Sequence, residues 1–179
     1  MLNLNRGARW RAHDCFEINQ LEEFSVNPIS VSASVAQVSV LMPTYEQACF
    51  IRRALDSLLA QTLADWEVII VDDGSRDQTA QAVLPFLEDG RIRYCRLPHN
   101  MGLGHALNEG LARTSAPLVA YLPSDDVYYR DHLQQLCERL GTQPDAVLAY
   151  SGVRHHYNRH SAGQIAGSWL QLVQCMHRR

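Results

Sequence analysis

The sequence predicts a parallel, doubly wound α/β sheet with helices on both faces, and three observations carry that reading. Short apolar runs of strand length recur at 38–42 (VSVLM), 67–71 (EVIIV) and 118–122 (LVAYL). Stretches with apolar residues at helical spacing separate them. Strands alternating with helices at this interval pair in parallel through crossover connections. In such sheets ligands bind beyond the carboxyl ends of the strands, near the point where strand order reverses.

Each element follows from its own pattern. Residues 38–42 form a buried strand stopped by Pro43. A helix is expected at about 48–61, with Ile51, Ala54, Leu55, Leu58 and Leu59 on one face. Residues 67–71 make the second strand, which ends at Asp72-Asp73-Gly74-Ser75. A helix at about 77–87 carries Ala80, Val83, Leu84 and Leu87 on a stripe, and Pro85 kinks or shortens it. Residues 91–97 (RIRYCRL) alternate as a strand does, with Ile92, Tyr94 and Arg96 on one face. A helix at 102–112, a strand at 118–122, an amphipathic helix at 131–140 closed by Gly141, and a strand at 146–150 complete the pattern. Residues 1–37 read as an N-terminal extension or linker, mixed in charge and then small and polar (SVNPISVSASVAQ), ahead of one domain at 38–179.

Composition removes several classes of activity. The 179 residues are 46% hydrophobic and 20% charged, enough apolar material for one sizeable core. All sixteen basic side chains are arginine. Without lysine there is no intact Walker phosphate loop, no Schiff-base or pyridoxal-phosphate chemistry, no kinase strand lysine and no receiver-domain lysine. A net charge of −3 argues against nucleic acid as a partner. Five scattered cysteines, none in C-x-x-C spacing, suggest buried thiols in a reduced, cytoplasmic setting. No apolar run reaches membrane-spanning length, and the first twenty residues lack the apolar core of a signal peptide. Charge is uneven: no acidic residue follows Asp145, where Arg154, Arg159, Arg178 and Arg179 lie with His155, His156, His160 and His177.

The chemistry is expected just after the strands, in Pro43-Thr44-Tyr45-Glu46, Asp72-Asp73-Gly74-Ser75, Pro98-His99-Asn100-Met101-Gly102 and Pro123-Ser124-Asp125-Asp126. Two of the four hold paired aspartates, whose repulsion calls for a cation or hydrogen-bond donors. Asp125-Asp126 fits a magnesium or manganese site completed by water and substrate phosphate. It fits equally a helix N-terminus capped by Ser124 or Asp125. The Asp72–Thr79 stretch holds either a carboxylate for a nucleobase or ribose, or merely a turn at Gly74 and a cap at Asp77. Tyr45 either stacks on a base or fills a half-buried turn. Asn100-Met101-Gly102-Leu103-Gly104 lacks dinucleotide-binding spacing, yet its backbone N–H groups suit a phosphate.

Taken together, PTY at 43–45, LDSLLAQT at 55–62, VDDGSRDQT at 71–79 and the continuation from RIRYCRLPHNMGLGHALNEGL to PSDD at 126 resemble the family-2 glycosyltransferases. The similarity spans about 38–150, and it is particularly close to spore-coat polysaccharide members that bind a uridine nucleotide. The resemblance implies the GT-A fold, a Rossmann-like, doubly wound and mostly parallel sheet. It also implies inverting transfer of a sugar, from a UDP-sugar donor with manganese or magnesium, to a glycan or lipid-linked acceptor, with peripheral association at the inner face of a membrane. The nucleotide set it implies is Pro43, Tyr45, Glu46, Asp72, Asp73, Asn100, Gly102, Ser124 and Asp125, with Tyr45 stacking on the base and Asp73 accepting the uracil N–H. Asp125 and Asp126 would bind the metal. Two positions depart from the family: Pro123-Ser124-Asp125-Asp126 is one carboxylate short of Asp-x-Asp-Asp, and Leu107 stands beside Asn108 where many members carry arginine, which leaves phosphate contacts to Arg76 or the basic tail. The family's general base lies in its C-terminal part, so this chain reads as a donor-binding portion with the acceptor part missing. His155 or His156 is either a substitute base or a solvated side chain. A different class of function stays open beside the enzyme: a nucleotide-binding module without its own base.

Overall fold

A computed structural model describes residues 36–152 and 175–179. The extension expected at 1–37, except for its last two residues, and Arg154, His155, His156, Arg159 and His160 lie outside the described residues. The strands are β1 (Val38–Thr44), β2 (Trp66–Asp72), β3 (Ile92–Arg96), β4 (Leu118–Tyr121), β5 (Leu148–Tyr150) and β6 (Cys175–Arg178). The α-helices are α1 (Ile51–Leu59), α2 (Thr79–Val83), α3 (Leu103–Ala112) and α4 (His132–Thr142). The sheet order is β3-β2-β1-β4-β6-β5. Strands β1 to β4 pair in parallel, and β6 lies antiparallel to both β4 and β5. The expected doubly wound, mostly parallel sheet is therefore present.

Strand parity divides the core. Val38, Val40 and Met42 of β1 join Val68 and Ile70 of β2 in a large cluster that α1 and α4 cover with Ile51, Leu55, Leu58, Leu133, Leu136 and Leu140. Leu41, Ile69, Val71 and Val119 point to the opposite face, against Ala106 of α3. Each fully buried leucine or isoleucine contributes roughly 1.5–3 kcal/mol by leaving water.

Four local expectations need correction. β1 runs through Pro43 to Thr44 instead of stopping at Pro43. The Leu41 carbonyl accepts from Leu122 N–H (2.9 Å) and the Thr44 carbonyl from Asp73 N–H (2.9 Å), so alternate residues serve opposite neighbours. Pro43 therefore turns toward β4 beyond the last paired residues, Leu41 and Tyr121, where no ladder bond needs its missing N–H. The second helix is only Thr79–Val83, because Pro85 converts the following turn into a 3-10 helix, Leu84–Phe86. Gly141 does not close α4, which continues to Thr142 and stops as Gln143 (φ −130°, ψ 84°) adopts the extended backbone imposed by Pro144. Finally, Cys49 and Cys137 are free thiols, but Cys95 is disulfide-bonded, contrary to the expectation of thiols throughout.

Glu67 locks the α3 side of the sheet. Its Oε1 accepts from the Ser39 hydroxyl (2.5 Å) and from the Ser115 N–H and hydroxyl (both 3.0 Å), and its Oε2 pairs with Arg93 (2.5 Å). Burial alone would raise its pKa; the Ser39 and Ser115 bonds and the Arg93 charge outweigh burial and lower it below 4.5. A depressed carboxylate stabilises the fold above its unfolded pKa, and that stability is lost as pH falls through the folded value. Glu67→Gln is expected to be clearly destabilised at pH 7, with the gap from the parent closing below about pH 4. Urea melts across that range check it.

Candidate functional site

The parallel register aligns the carboxyl ends of four strands: Thr44 lies opposite Asp72, Asp72 opposite Arg96, and Leu41 opposite Tyr121. The chain runs outward from β1 to β2 and β3, then returns to place β4 on the other side of β1. The order thus reverses between β1 and β4, which is where a ligand crevice forms in such a sheet.

The loop after β1 is fixed by the loop after β2. Glu46 N–H donates to Ser75 Oγ (2.9 Å), Gln47 N–H to Thr79 Oγ1 (3.1 Å), and Ala48 N–H to Asp77 Oδ2 (3.0 Å). In return, Arg76 N–H donates to Glu46 Oε1 (2.7 Å). Glu46 adopts φ 56°, an uncommon backbone for a residue with a side chain. The turn it makes leaves Tyr45 at the rim, 42% exposed. The helix cap of α2 is Gln78 rather than the expected Asp77, which instead supports the helix start from one residue further out by accepting from Thr79 N–H (2.9 Å). Burial pushes the Asp77 pKa up, but the bonds from Thr79 and Ala48 prevail and lower it.

The paired aspartates after β2 point to opposite faces. Asp72 continues the parity of Val68 and Ile70 into the large core and is fully buried. It accepts from Ser75 N–H (2.8 Å) and from the Tyr94 hydroxyl, with Arg96 Nε 3.9 Å away. Burial and the Asp72 carboxylate push the Tyr94 hydroxyl far above its ordinary pKa, so it stays a donor. Asp73 turns to the α3 side, where its two oxygens accept from Met101 N–H and Gly102 N–H, both at 2.7 Å. Each oxygen retains a second lone-pair direction for a ligand. Gly74 sits between the two loops with φ 75°, and a Cβ there would stand 2.6 Å from the His99 backbone. Asn100 is exposed at the rim, and Gly102 (φ 91°) leads into α3 with open space around it.

After β4, Leu122 and Ser124 are buried while Asp125 is exposed. Asp126 N–H closes a tight turn onto the Pro123 carbonyl (3.0 Å). No helix starts at Ser124 or Asp125; α4 begins at His132. The capping alternative is therefore not realised, and the acidic pair occupies a loop. The Tyr128 hydroxyl reaches back to the Tyr121 carbonyl (2.7 Å) and closes that loop underneath. His132 stacks on Tyr128 with ring centroids 4.1 Å apart, its Nε2 buried without a hydrogen-bond partner. Burial lowers its pKa to about 4 from 6.5, with nearby Asp131 opposing the shift. The neutral ring is the one the fold accommodates, so stability is complete above pH 6.5 and declines toward pH 4. His132→Gln is expected to remove most of that acid-side decline, on the order of 3 kcal/mol at most, in denaturant melts between those pH values.

The edge thus brings together Pro43, Tyr45, Glu46, Asp73, Asn100, Gly102, Ser124, Asp125 and Asp126, whereas Asp72 is withdrawn into the core as a turn-builder. Among the described residues no three His, Cys, Asp or Glu side chains cluster as a complete metal cage. Asp125 and Asp126 alone suit a magnesium- or manganese-type ion, which keeps water and takes further ligands from phosphate. Gly74 was legible in the sequence as a turn glycine, whereas the Tyr128 brace and a bond from Leu133 N–H to Gln61 Oε1 (3.0 Å) had no local signal.

This fold has known counterparts. The family described as Glycosyl transferase family 2 matches residues 39–172, and the chain belongs to it. An uncharacterised glycosyltransferase of Nostoc sp. is 36% identical over 121 residues, which cover 67% of this chain and 36% of that protein. Escherichia coli WfgD, a UDP-Glc:alpha-D-GlcNAc-diphosphoundecaprenol beta-1,3-glucosyltransferase, is 36% identical over 97 residues, 54% of this chain and 38% of WfgD. The mannosyltransferase PcManGT of Pyrobaculum calidifontis, solved with GDP-Man and Mn2+, superposes with TM-score 0.62 at 28% identity, covering 68% of this chain and 36% of its own. The fold is accordingly of the GT-A type. The chain spans less than two-fifths of the length of these relatives.

Proposed function

We propose that this chain binds the nucleotide-sugar donor of an inverting glycosyltransferase, with a UDP-sugar as the donor and a glycan or lipid-linked hydroxyl as the acceptor. The observation that carries the reading is the grouping of exposed Tyr45, the Asp73 carboxylate and the Asp125-Asp126 turn around the strand-order reversal between β1 and β4. Tyr45 stacks on the base, and Asp73 accepts the uracil N–H on lone pairs left free by Met101 and Gly102. Pro43, Glu46, Asn100, Gly102 and Ser124 line the nucleotide; Asp72 contributes by fixing the turn that aims Asp73. Asp125 and Asp126 hold magnesium or manganese, which when bound neutralises charge on the departing diphosphate. The uridine preference draws support from the donor named for WfgD, and the metal from the manganese complex of PcManGT. The named acceptor of WfgD supports a lipid-linked substrate met at the cytoplasmic face of a membrane. Among the described residues no helix is long and apolar enough to cross one. Residues 38–179 form the donor domain and 1–37 its lead-in.

Inversion requires a base that deprotonates the acceptor as the sugar leaves from the opposite side. A second reading, a nucleotide-binding module without its own base, shares the same donor site. Calorimetric titration with UDP tests what the two readings share: affinity should rise markedly on adding manganese or magnesium. Absence of metal-dependent binding of any nucleoside diphosphate would sink both. Transfer of sugar by this chain to a lipid-linked acceptor would then select the enzyme.

A further inference from the structure

The loop that carries Asp125 and Asp126 is not held by the sheet alone. Its near end is tied to β1 through Leu122 N–H and the Leu41 carbonyl (2.9 Å). Its far half is tied to α1, at the end of the helix remote from the other strand-end loops. Gln61, just beyond α1, uses its whole amide there: Oε1 accepts from Leu133 N–H (3.0 Å), and Nε2 donates to the Tyr129 carbonyl (2.8 Å) and the Ser57 carbonyl (3.1 Å). Thr62 N–H donates to the Arg130 carbonyl (2.8 Å), and Tyr128 N–H to Ser57 Oγ (3.1 Å). Three consecutive loop residues, Tyr128 to Arg130, and the first turn of α4 are thereby referenced to the C-terminal turn of α1. Between these two anchors the residues Pro123 to Val127 form a short span, and the acidic pair sits on it.

We infer that Gln61 is a positioning residue for the metal-holding carboxylates, fixing the height of the Asp125-Asp126 span above the sheet through its amide bonds to Tyr129 and Leu133. The inference rests on the assignment of the metal to Asp125 and Asp126. A carboxylate pair supplies few ligands, so its affinity depends on both oxygens being presented together, and supporting hydrogen bonds behind ligands tune metal sites strongly. The base-recognition side is tied elsewhere, by Asp73 to Met101 and Gly102, whereas the Gln61 amide bonds to Ser57, Tyr129 and Leu133. Loss of the amide should therefore be felt in one half of the binding energy and spare the other.

The test is UDP calorimetry with and without manganese on the parent chain, Gln61→Met and Ser57→Ala, beside Glu67→Gln as a control that weakens the fold at a distance from this loop. Methionine keeps the length of the side chain and removes every amide bond. Gln61→Met should cut the manganese-dependent gain in UDP affinity about tenfold while leaving metal-free UDP binding within a factor of about two, a loss matching one to two hydrogen bonds. Ser57→Ala, which removes the Tyr128 tie and the hydroxyl's bond to the Ala54 carbonyl (2.7 Å) but leaves the Gln61 bonds in place, should show a smaller loss of the same kind, and Glu67→Gln should lower the melting temperature without touching the gain. An unchanged manganese gain in Gln61→Met overturns the inference, as does an equal loss in Glu67→Gln, which would mark a mere stability effect. A parent chain with no manganese gain overturns the metal assignment itself, so the two failures are distinguishable. If Gln61→Met does not fold, Ser57→Ala decides alone: a preserved gain there counts against the clamp.

Discussion

Asp125→Asn is expected to abolish most of the manganese-dependent gain in UDP affinity, by tenfold or more, or at least ~1.4 kcal/mol, while leaving the fold intact. The side chain is exposed and builds nothing in the turn, whose closing bond runs from Asp126 N–H to the Pro123 carbonyl. Its replacement therefore subtracts charge from the site with little cost to stability, since surface substitutions away from special features stay within roughly ±0.5 kcal/mol. Asp126→Asn tests the neighbouring carboxylate in the same way, and the larger loss identifies the principal ligand. The chain has no lysine to take over. Equal manganese dependence in both variants and the parent would remove the metal from this loop altogether.

Gly74→Ala should be the most damaging glycine-to-alanine change among the described residues. Two costs coincide at that position. The backbone lies at φ 75°, in a region alanine rarely adopts, and the added Cβ would stand 2.6 Å from both Cα and C of His99. Backbone atoms cannot rotate away as a side-chain tip can, so one of the two loops has to move. Strain and clash together should lower stability by about 3 kcal/mol. Displacing residues 99–102 would also pull Met101 and Gly102 away from Asp73, so UDP binding should fall even where the variant remains folded. A variant with parental melting temperature and parental UDP affinity would show that the two loops do not pack as described. Gly104, with nothing within 4 Å of its Cβ position, is the matched control: Gly104→Ala should be tolerated.

The parts of this architecture legible in the sequence are those that local physics decides. Val38–Thr44 and Trp66–Asp72 are central strands, buried on both faces, and so read as continuous apolar runs. The short second helix was announced by Pro85. Where the sequence misled, the deciding factor was always a neighbour. Pro43 is accommodated because β4 has already left the ladder at that level, and Gly141 is carried inside α4 because the stop belongs to Pro144. β6 carried no signal at all: CMHR is a strand only because β4 and β5 both offer it an open edge. In the candidate site, the acidic pairs stood out at once, but which aspartate of Asp72-Asp73 faces a ligand depends on strand parity. Adjacent residues point to opposite faces, so the sequence could mark the pair without dividing it. Ties such as Gln61 to Leu133 span 72 residues and leave no trace in either segment alone.

The placement of β6 sets the order in which the molecule can be assembled. Among the described residues β5 joins the sheet through β6, in the pairs Leu148–His177, Ala149–Met176 and Tyr150–Cys175, and β4 meets β6 in the pairs Leu118–Arg178, Val119–His177 and Ala120–Met176. Strands β1 to β4 can pair as soon as they leave the ribosome, whereas Leu148–Tyr150 must wait for Cys175–Arg178, whose docking closes a long loop late and slowly. During that interval the flank of β4 from Leu118 to Ala120 presents unpaired backbone to any other nascent chain. The four residues Cys175–Arg178 thus determine how long this edge remains adhesive on the way to the native state.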